Sequence, residues 1–484
     1  MKLKELLQDV DVVSASAPMD MEITDVVYDS RKVTPGCLFV AVAGFASDGN
    51  RFIPMAMEKG AVAVVSAKIP EETIPYVQVS SDRLALAQIG ANFFRHPAKS
   101  LKLVGITGTN GKTSVTLLLK HVLEQTRGAK VGLIGTMGNM VGDTYIPSER
   151  TTPESFELQA LLAQMRDAGC SHVVMEVSSH AIALERVGGL HFAVAAFTNL
   201  TEDHLDFHKT MENYCDTKAQ LFTRCDCAVI NRDDSWFERI RGAAKCDVLT
   251  TSVKGNADLQ AVDANLHSDA VTFTAVTAEG KTDVSVPIPG KFTVYNTLTV
   301  LAVAKHLGIS VPETAMALKS AKGVKGRVEV VPTPGKDYTV LIDYAHTPDG
   351  LQNVLSSVKG FCKGRLIAVF GCGGDRDPVK RPIMGNIGVS IADYSIITSD
   401  NPRTEDPMAI ISDIVKGISE TADNYEVVEN RPKAIQHAMD IAQKDDIIVL
   451  AGKGHETYQE IQGVKPHLDE REVVADYLNE TRGN

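Results

Sequence analysis

The chain has 484 residues, of which 44% are hydrophobic and 23% charged, and a formal net charge of −12. That length suits about three domains, each with its own core, and the composition is ordinary for a globular protein. The acidic balance disfavours nonspecific nucleic-acid binding, which needs a basic face.

The amino terminus, Met1-Lys-Leu-Lys-Glu-Leu-Leu-Gln-Asp9, lacks the apolar segment of a signal peptide, and no apolar run approaches a membrane span. The expectation is a cytoplasmic protein without membrane insertion. Eight scattered cysteines with no Cys-x-x-Cys read as thiols of a reducing compartment. Residues 1–97 alternate short strands and helices, with Val27 to Ala41 running from a polar turn into a buried strand, so a small α/β domain is expected. From 98 to 326 a parallel-sheet pattern follows, with strands Lys102–Thr107, His172–Val177, Val194–Asn199 and Ala228–Asn231 and a β-rich stretch over 246–288. One intervening helix is well signalled. Thr152 caps it, Pro153 suits its first turn, Leu158, Leu161, Leu162 and Met165 form its apolar stripe, and Gly169 ends it.

From 327 to 484 the βα rhythm restarts with strands Thr339–Tyr344, Arg365–Phe370, Tyr394–Thr398 and Ile447–Leu450. They run into Ala345-His-Thr-Pro-Asp349, Gly371-Cys-Gly-Gly-Asp-Arg-Asp377, Ser399-Asp-Asn-Pro-Arg403 and Gly452-Lys-Gly-His-Glu456. Ligands of open parallel sheets bind beyond the carboxyl ends of strands, so the four clusters imply one site. The fold class is α/β in three domains, a central phosphate-loop parallel-sheet domain and a Rossmann-like C-terminal domain among them.

The most informative segment is Gly105-Ile-Thr-Gly-Thr-Asn-Gly-Lys-Thr-Ser114, which follows an apolar strand and precedes the helical spacing of Val115, Leu118, Leu119 and Val122. Backbone N–H groups of Gly108, Thr109, Asn110 and Gly111 can wrap a polyphosphate, Lys112 can reach its terminal oxygens, and the Thr113 hydroxyl can ligate Mg²⁺. The loop is a variant, because Gly105 stands one residue too far from the Gly-Lys pair for the strict pattern and Gly108 too near. Glu176, at the end of an apolar strand, is the candidate carboxylate completing the metal shell. His204, in Asn199-Leu-Thr-Glu-Asp-His-Leu-Asp206, is a candidate for a second Mg²⁺ or a phosphate.

These segments, with Glu176-Val-Ser-Ser-His180, Asp343-Tyr-Ala-His-Thr-Pro348, Tyr28-Asp-Ser-Arg31 and Asp400-Asn-Pro-Arg403, together resemble the Mur ligases over essentially the whole chain. The resemblance implies an ATP-dependent, amide-forming ligase. ATP would phosphorylate the terminal carboxylate of a nucleotide-linked peptide, and an incoming amine would then displace phosphate. It implies ATP and Mg²⁺ at Gly108 to Ser114, with Thr113, Glu176, His204 and Lys218 at the metal and Lys112, His204 and Lys218 as catalytic groups. Lys218 matches a lysine that family members carry as a carbamate. Asn296, Arg327, Asp343 and His346 match further ATP contacts. Thr293 departs from the pattern, since the family usually has asparagine there.

For the nucleotide-peptide, Ser30 resembles a uridine-site residue, and Thr151, Thr152, Ser178 and Arg186 match peptide and pyrophosphate contacts. Asp400, Asn401, Pro402 and Arg403 resemble the signature of members that add meso-2,6-diaminopimelate, with Arg376, Gly452 and Glu456 at the remaining contacts. Diaminopimelate carries a second carboxylate where lysine has only a hydrogen, and a guanidinium fork grips a carboxylate with two charge-assisted bonds. The resemblance therefore implies UDP-N-acetylmuramoyl-L-alanyl-D-glutamate and diaminopimelate as substrates of a monomeric enzyme. Residues 1–97 would bind the UDP part, 98–326 ATP and 327–484 the amino acid. Alternatives are lysine addition, a folylpolyglutamate-synthetase-like ligase, or a regulatory protein with a decayed site. The Asp400–Arg403 signature and the full N-terminal domain argue against the first two, and the retained Lys112, Glu176, His204, Lys218 and Arg403 against the third.

Overall fold

The computed structural model describes residues 1–44, 48–71, 73–148, 150–267 and 269–482. Its backbone divides into two compact units, Met1–Gln260 with Asn296–Ala317, and Ala261–Tyr295 with Leu318–Asn484.

The first unit holds two sheets. The N-terminal one runs Val12–Ala15, Tyr76–Val79, Ala63–Ser66, Leu38–Ala41, Val26–Val27, parallel except for its first pair. Its strands are short and rich in valine, and alternate residues face opposite sides. Leu38 and Val40 pack toward Leu86 and Ile89 of helix Asp82–Phe93, while Phe39 packs toward Ile53 and Ala56 of helix Ile53–Glu58. The Ser81 side chain accepts from Leu84 N at 3.3 Å and caps the longer helix.

The second sheet of this unit runs Asp247–Ser252, Cys225–Asn231, Phe192–Phe197, Lys102–Thr107, His172–Glu176, Val131–Gly135, all parallel, and closes with the antiparallel strands Gly138–Val141 and Thr144–Ile146. Lys102–Thr107 lies between Phe192–Phe197 and His172–Glu176, with Glu176 opposite Ile106 and Thr107 opposite Phe197. Three strand ends therefore converge where the glycine loop leaves the sheet. Helix Lys112–Arg127 follows at once, its apolar Val115, Leu118, Leu119 and Val122 buried as the spacing requires.

In the second unit the strand order is Glu329–Val331, Thr339–Asp343, Ile447–Ala451, Leu366–Phe370, Tyr394–Ile397, Tyr425–Val427, parallel except for the first pair. The sheet is covered on both faces. Leu341, Ala368 and Phe370 pack with helices Pro348–Lys359, Lys380–Ile391 and Pro407–Val415, and Val340, Ile367 and Val369 with helices Arg431–Ile441 and Glu470–Arg482. A β-hairpin, Val271–Thr277 with Gly280–Val286, falls within the expected β-rich stretch.

Strand positions agree with the sequence reading to within a few residues. The helix expected to begin at Thr152 does not: it spans Ser155–Asp167, and Thr152 makes no cap. Its stripe of Leu158, Leu161, Leu162 and Met165 is buried, and Gly169 follows its end with φ of +80°. All eight cysteines are free thiols, and no helix among the described residues is long and apolar enough to cross a membrane.

Candidate active site

The glycine loop is a crowded turn. Gly108 has φ of +147°, and a Cβ there would collide with the Thr198 hydroxyl, so only glycine lets the chain pass. Thr198 donates to Asn110 O at 2.6 Å, and Asn199 Oδ1 accepts from Asn110 N at 2.9 Å, which pins the loop to the end of the adjacent strand. Lys112 Nζ donates to Gly108 O at 2.9 Å and Thr109 O at 2.8 Å, holding its ammonium over the loop. Ser114 follows in the first helical turn, and Asn296, buried, lies against Gly111.

Glu176 is 1% exposed and gathers three neutral donors: Thr113 Oγ1 at 3.0 Å, Thr136 N at 2.9 Å and Thr136 Oγ1 at 3.1 Å. No cationic side chain pairs with it among the described residues. A buried carboxylate without a countercharge, beside a hydroxyl on a phosphate loop, is the hard oxygen donor set that Mg²⁺ takes. His204 stands half-exposed at φ of +54°, with Nε2 3.4 Å from Asp203 Oδ2 and its ring edge-on to His180 at 4.8 Å.

Lys218 is the most unusual group here. It is 1% exposed, its Nζ donates to Gly108 O at 3.0 Å, and it lies 4.6 Å from the centre of the Tyr214 ring. Burial, reinforced by the Lys112 ammonium, holds its pKa well below that of an ordinary lysine. A neutral buried amine can act as a nucleophile where an ammonium cannot.

Thr152, fully buried, donates to Glu176 O at 2.9 Å and accepts from Ser178 N at 3.2 Å. This competition with the sheet end explains why it does not cap the following helix. Thr151 Oγ1 is 2.9 Å from Thr136 Oγ1, and the Ser178 side chain accepts from Ala181 N at 3.1 Å. Arg186 donates to Thr152 O at 3.2 Å and pairs with Glu154 at 2.8 Å. Its Nε is buried without a hydrogen bond among the described residues, and burial lowers its pKa. Thr136 and Glu154 were not singled out from sequence; the position of Thr136 just past the strand Val131–Gly135 was the available signal. Ser30, buried, opens a short turn whose Asp29 side chain accepts from Arg31 N at 3.0 Å.

In the second unit, Asp343 closes its strand by accepting from Val328 N and Ala345 N, each at 2.8 Å, and burial raises its pKa. This fixes the backbone on both sides of the site, next to Arg327, whose guanidinium lies 5.4 Å from the Tyr344 ring centre. His346 Nδ1 is 2.8 Å from Tyr344 O. The Thr293 hydroxyl donates to Pro289 O at 2.9 Å, so this departure from the family pattern is satisfied locally, by the turn that precedes its helix.

The loops after Tyr394–Ile397 and Ile447–Ala451 are bound together. Asn401 Nδ2 donates to Glu456 Oε2 at 2.9 Å, and Lys453 Nζ donates to Asn401 Oδ1 at 3.1 Å and Glu456 Oε2 at 3.0 Å. Gly452 has φ of +118°, and a Cβ there would strike the Asp400 carboxylate. Behind them, Arg431 is fully buried, bonds Glu470 at 2.8 Å and Ala451 O at 2.8 Å, and pairs with Asp400 at 3.8 Å. Pro402 is buried, and Arg403, φ +52°, donates to Gly374 O at 2.6 Å and pairs with Glu460 at 3.4 Å. Its side chain is 25% exposed. Arg376 stands exposed on the 371–377 loop, with no hydrogen bond to this set among the described residues. Lys453, Arg431 and Glu460 carry this architecture and were missed from sequence.

A glycine loop with Lys112 held over it and the buried Glu176 beside Thr113 is the form of site that takes nucleotide phosphates. Three family models match the chain: Mur ligase family, catalytic domain at 22–94, Mur ligase middle domain at 106–304, and Mur ligase, glutamate ligase domain at 326–454. The chain belongs to the Mur ligase family. It is 48% identical to UDP-N-acetylmuramoyl-L-alanyl-D-glutamate--2,6-diaminopimelate ligase 1 of Clostridium acetobutylicum, over 99% of this chain and 100% of that one. It is 46% identical to the 2,6-diaminopimelate ligase of Clostridium tetani over the same shares. A solved structure of such a ligase is 31% identical with a TM-score of 0.78, covering 100% of this chain and 99% of that one. Folylpolyglutamate synthase of Mycobacterium tuberculosis, at 17% identity and TM-score 0.59, covering 82% of this chain and 95% of its own, shares the fold.

Proposed function

We propose that this chain adds meso-2,6-diaminopimelate to UDP-N-acetylmuramoyl-L-alanyl-D-glutamate at the expense of ATP. The observation that carries the reading is the joined pair of loops in which Asn401 bonds Glu456 beside the part-exposed side chain of Arg403. An ammonium suits Glu456 and a carboxylate suits Arg403, and the far end of diaminopimelate carries both.

Residues 1–97 hold the UDP part, 98–326 the ATP and 327–484 the amino acid. Amides of Gly108 to Gly111 cradle the polyphosphate and Lys112 balances charge on the transferring phosphoryl group. The peptide carboxylate takes that phosphoryl group, the amine attacks the acyl carbon, and the tetrahedral adduct expels phosphate as the nitrogen loses a proton. Arg186, with an unpartnered buried N–H, and the hydroxyls of Thr151, Thr152 and Ser178 hold the nucleotide-peptide. Mg²⁺ would neutralise phosphate charge. Thr113, Glu176, His204 and Lys218 would hold it, Lys218 as a carbamate, which the lowered basicity of its buried amine favours. The test is to incubate the protein with ATP, Mg²⁺ and the nucleotide-dipeptide, and to weigh the product formed with diaminopimelate or lysine. A product carrying diaminopimelate supports the reading; one carrying only lysine overturns it.

A further inference from the structure

Lys453 has no place in the mechanism above, yet its side chain is fully buried. Lysine is almost never fully buried unless paired, and a methionine would fill similar space without the cost of desolvating an ammonium. Its partners are specific. One N–H reaches Asn401 Oδ1 at 3.1 Å, another reaches Glu456 Oε2 at 3.0 Å, and the Tyr458 ring centre lies 5.5 Å away. Asn401 Nδ2 bonds the same Glu456 oxygen, closing a triangle between the two loops. Asn401 Oδ1 also accepts from Glu460 N at 2.8 Å, and Glu460 is the ion-pair partner of Arg403.

Two consequences follow from these bonds. Glu456 Oε2 is occupied by two donors, while Oε1 carries no hydrogen bond among the described residues and the side chain is 15% exposed. The carboxylate is thus clamped on one oxygen and presents the other. The clamp also ties Glu456, through Asn401 and Glu460, to the loop bearing Arg403.

We propose that Lys453 is a positioning residue for amino-acid capture: it fixes the Glu456 carboxylate at the height where its open oxygen receives the distal ammonium of the incoming diamino acid. The inference rests on the reading of these loops as the amino-acid site.

A double-mutant cycle on the full-length protein tests it, with steady-state kinetics for diaminopimelate, ATP and the nucleotide-dipeptide. Lys453→Met should lower kcat/KM for diaminopimelate by about tenfold or more. The KM values for ATP and nucleotide-dipeptide should stay put, because the bonds lost run to Asn401 and Glu456. Glu456→Gln alone should lower diaminopimelate use comparably, and adding Lys453→Met to it should cost little more. Lys453→Gln, which keeps a neutral donor in the same space, is taken through the same cycle, with thermal unfolding of each variant, so that misfolding of the methionine variant does not decide the matter. Losses that multiply independently, or a parallel rise in the KM for ATP, would overturn the positioning role. If Glu456→Gln leaves diaminopimelate use unchanged, the amino-acid reading of these loops fails and this inference fails with it.

Discussion

The glycine loop after Lys102–Thr107 and the paired loops after Tyr394–Ile397 and Ile447–Ala451 both sit at carboxyl ends of parallel strands, but they are built on opposite principles. In the first, Glu176 takes only neutral donors among the described residues, while Lys112 and Lys218 donate to backbone carbonyls of the glycine loop. In the second, charges are paired internally, Lys453 with Glu456, Arg431 with Glu470 and Arg403 with Glu460. A carboxylate held by neutral donors stays open to a metal, whereas charges paired internally hold the shape of their loops. Lesions in the two regions should therefore differ in kind: in the first, all amino acids suffer alike; in the second, the choice among them changes.

The largest effect is expected at Lys112. Lys112→Ala removes the cation over the phosphate loop and should lower kcat by about 10²–10³-fold or more, equally with diaminopimelate and lysine and with an unchanged melting curve. A selective loss with one amino acid would break the comparison. Lys218→Ala should follow, losing about 100-fold by the same class of effect. Because its reactive form is read as a carbamate, a small added carboxylic acid should restore part of the activity without altering amino-acid preference. Full unaided activity of the variant would remove Lys218 from the chemistry. The smallest effect belongs to Thr152, which bridges Glu176 O and Ser178 N. Thr152→Val should cost about 1–3 kcal/mol of stability, the penalty for stranding buried polar partners, and denaturant titration reads it.

Why the phosphate region was legible and the other was not is visible in single residues. Gly108 to Ser114 is contiguous, its chemistry is largely backbone, and the strand and helix on either side have clear periods. Thr152 was misread because Thr-Pro before an apolar stripe is an ordinary helix start, whereas a long-range partner, the Glu176 carbonyl, claims its hydroxyl. Thr136 gave only its position at a strand end. Lys453, Arg431 and Glu460 gave less, since a lysine between two glycines and an arginine before a proline read as exposed loop residues. Lys453 and Arg431 are buried by pairings across 52 and 39 positions of sequence, to Asn401 and Glu470, and the half-buried Glu460 is held by its backbone N–H on Asn401, 59 positions away. The Asp400–Arg403 signature told which amino acid is added through resemblance, and the carboxylate argument for Arg403 supplied its physics.

The central claim is that the second region reads the extra carboxylate of diaminopimelate, and Arg403→Ala tests it most directly. Kinetics of wild type and variant are measured on diaminopimelate and on lysine under the same ATP, Mg²⁺ and nucleotide-dipeptide. Removing one partner of a desolvated charge pair costs about 2–5 kcal/mol, so kcat/KM for diaminopimelate should fall roughly 30-fold or more, while kcat/KM for lysine, which has no carboxylate there, should change far less. Equal losses for the two amino acids would mean that Arg403 only shapes its loop, through Gly374 and Glu460, and would contradict the account.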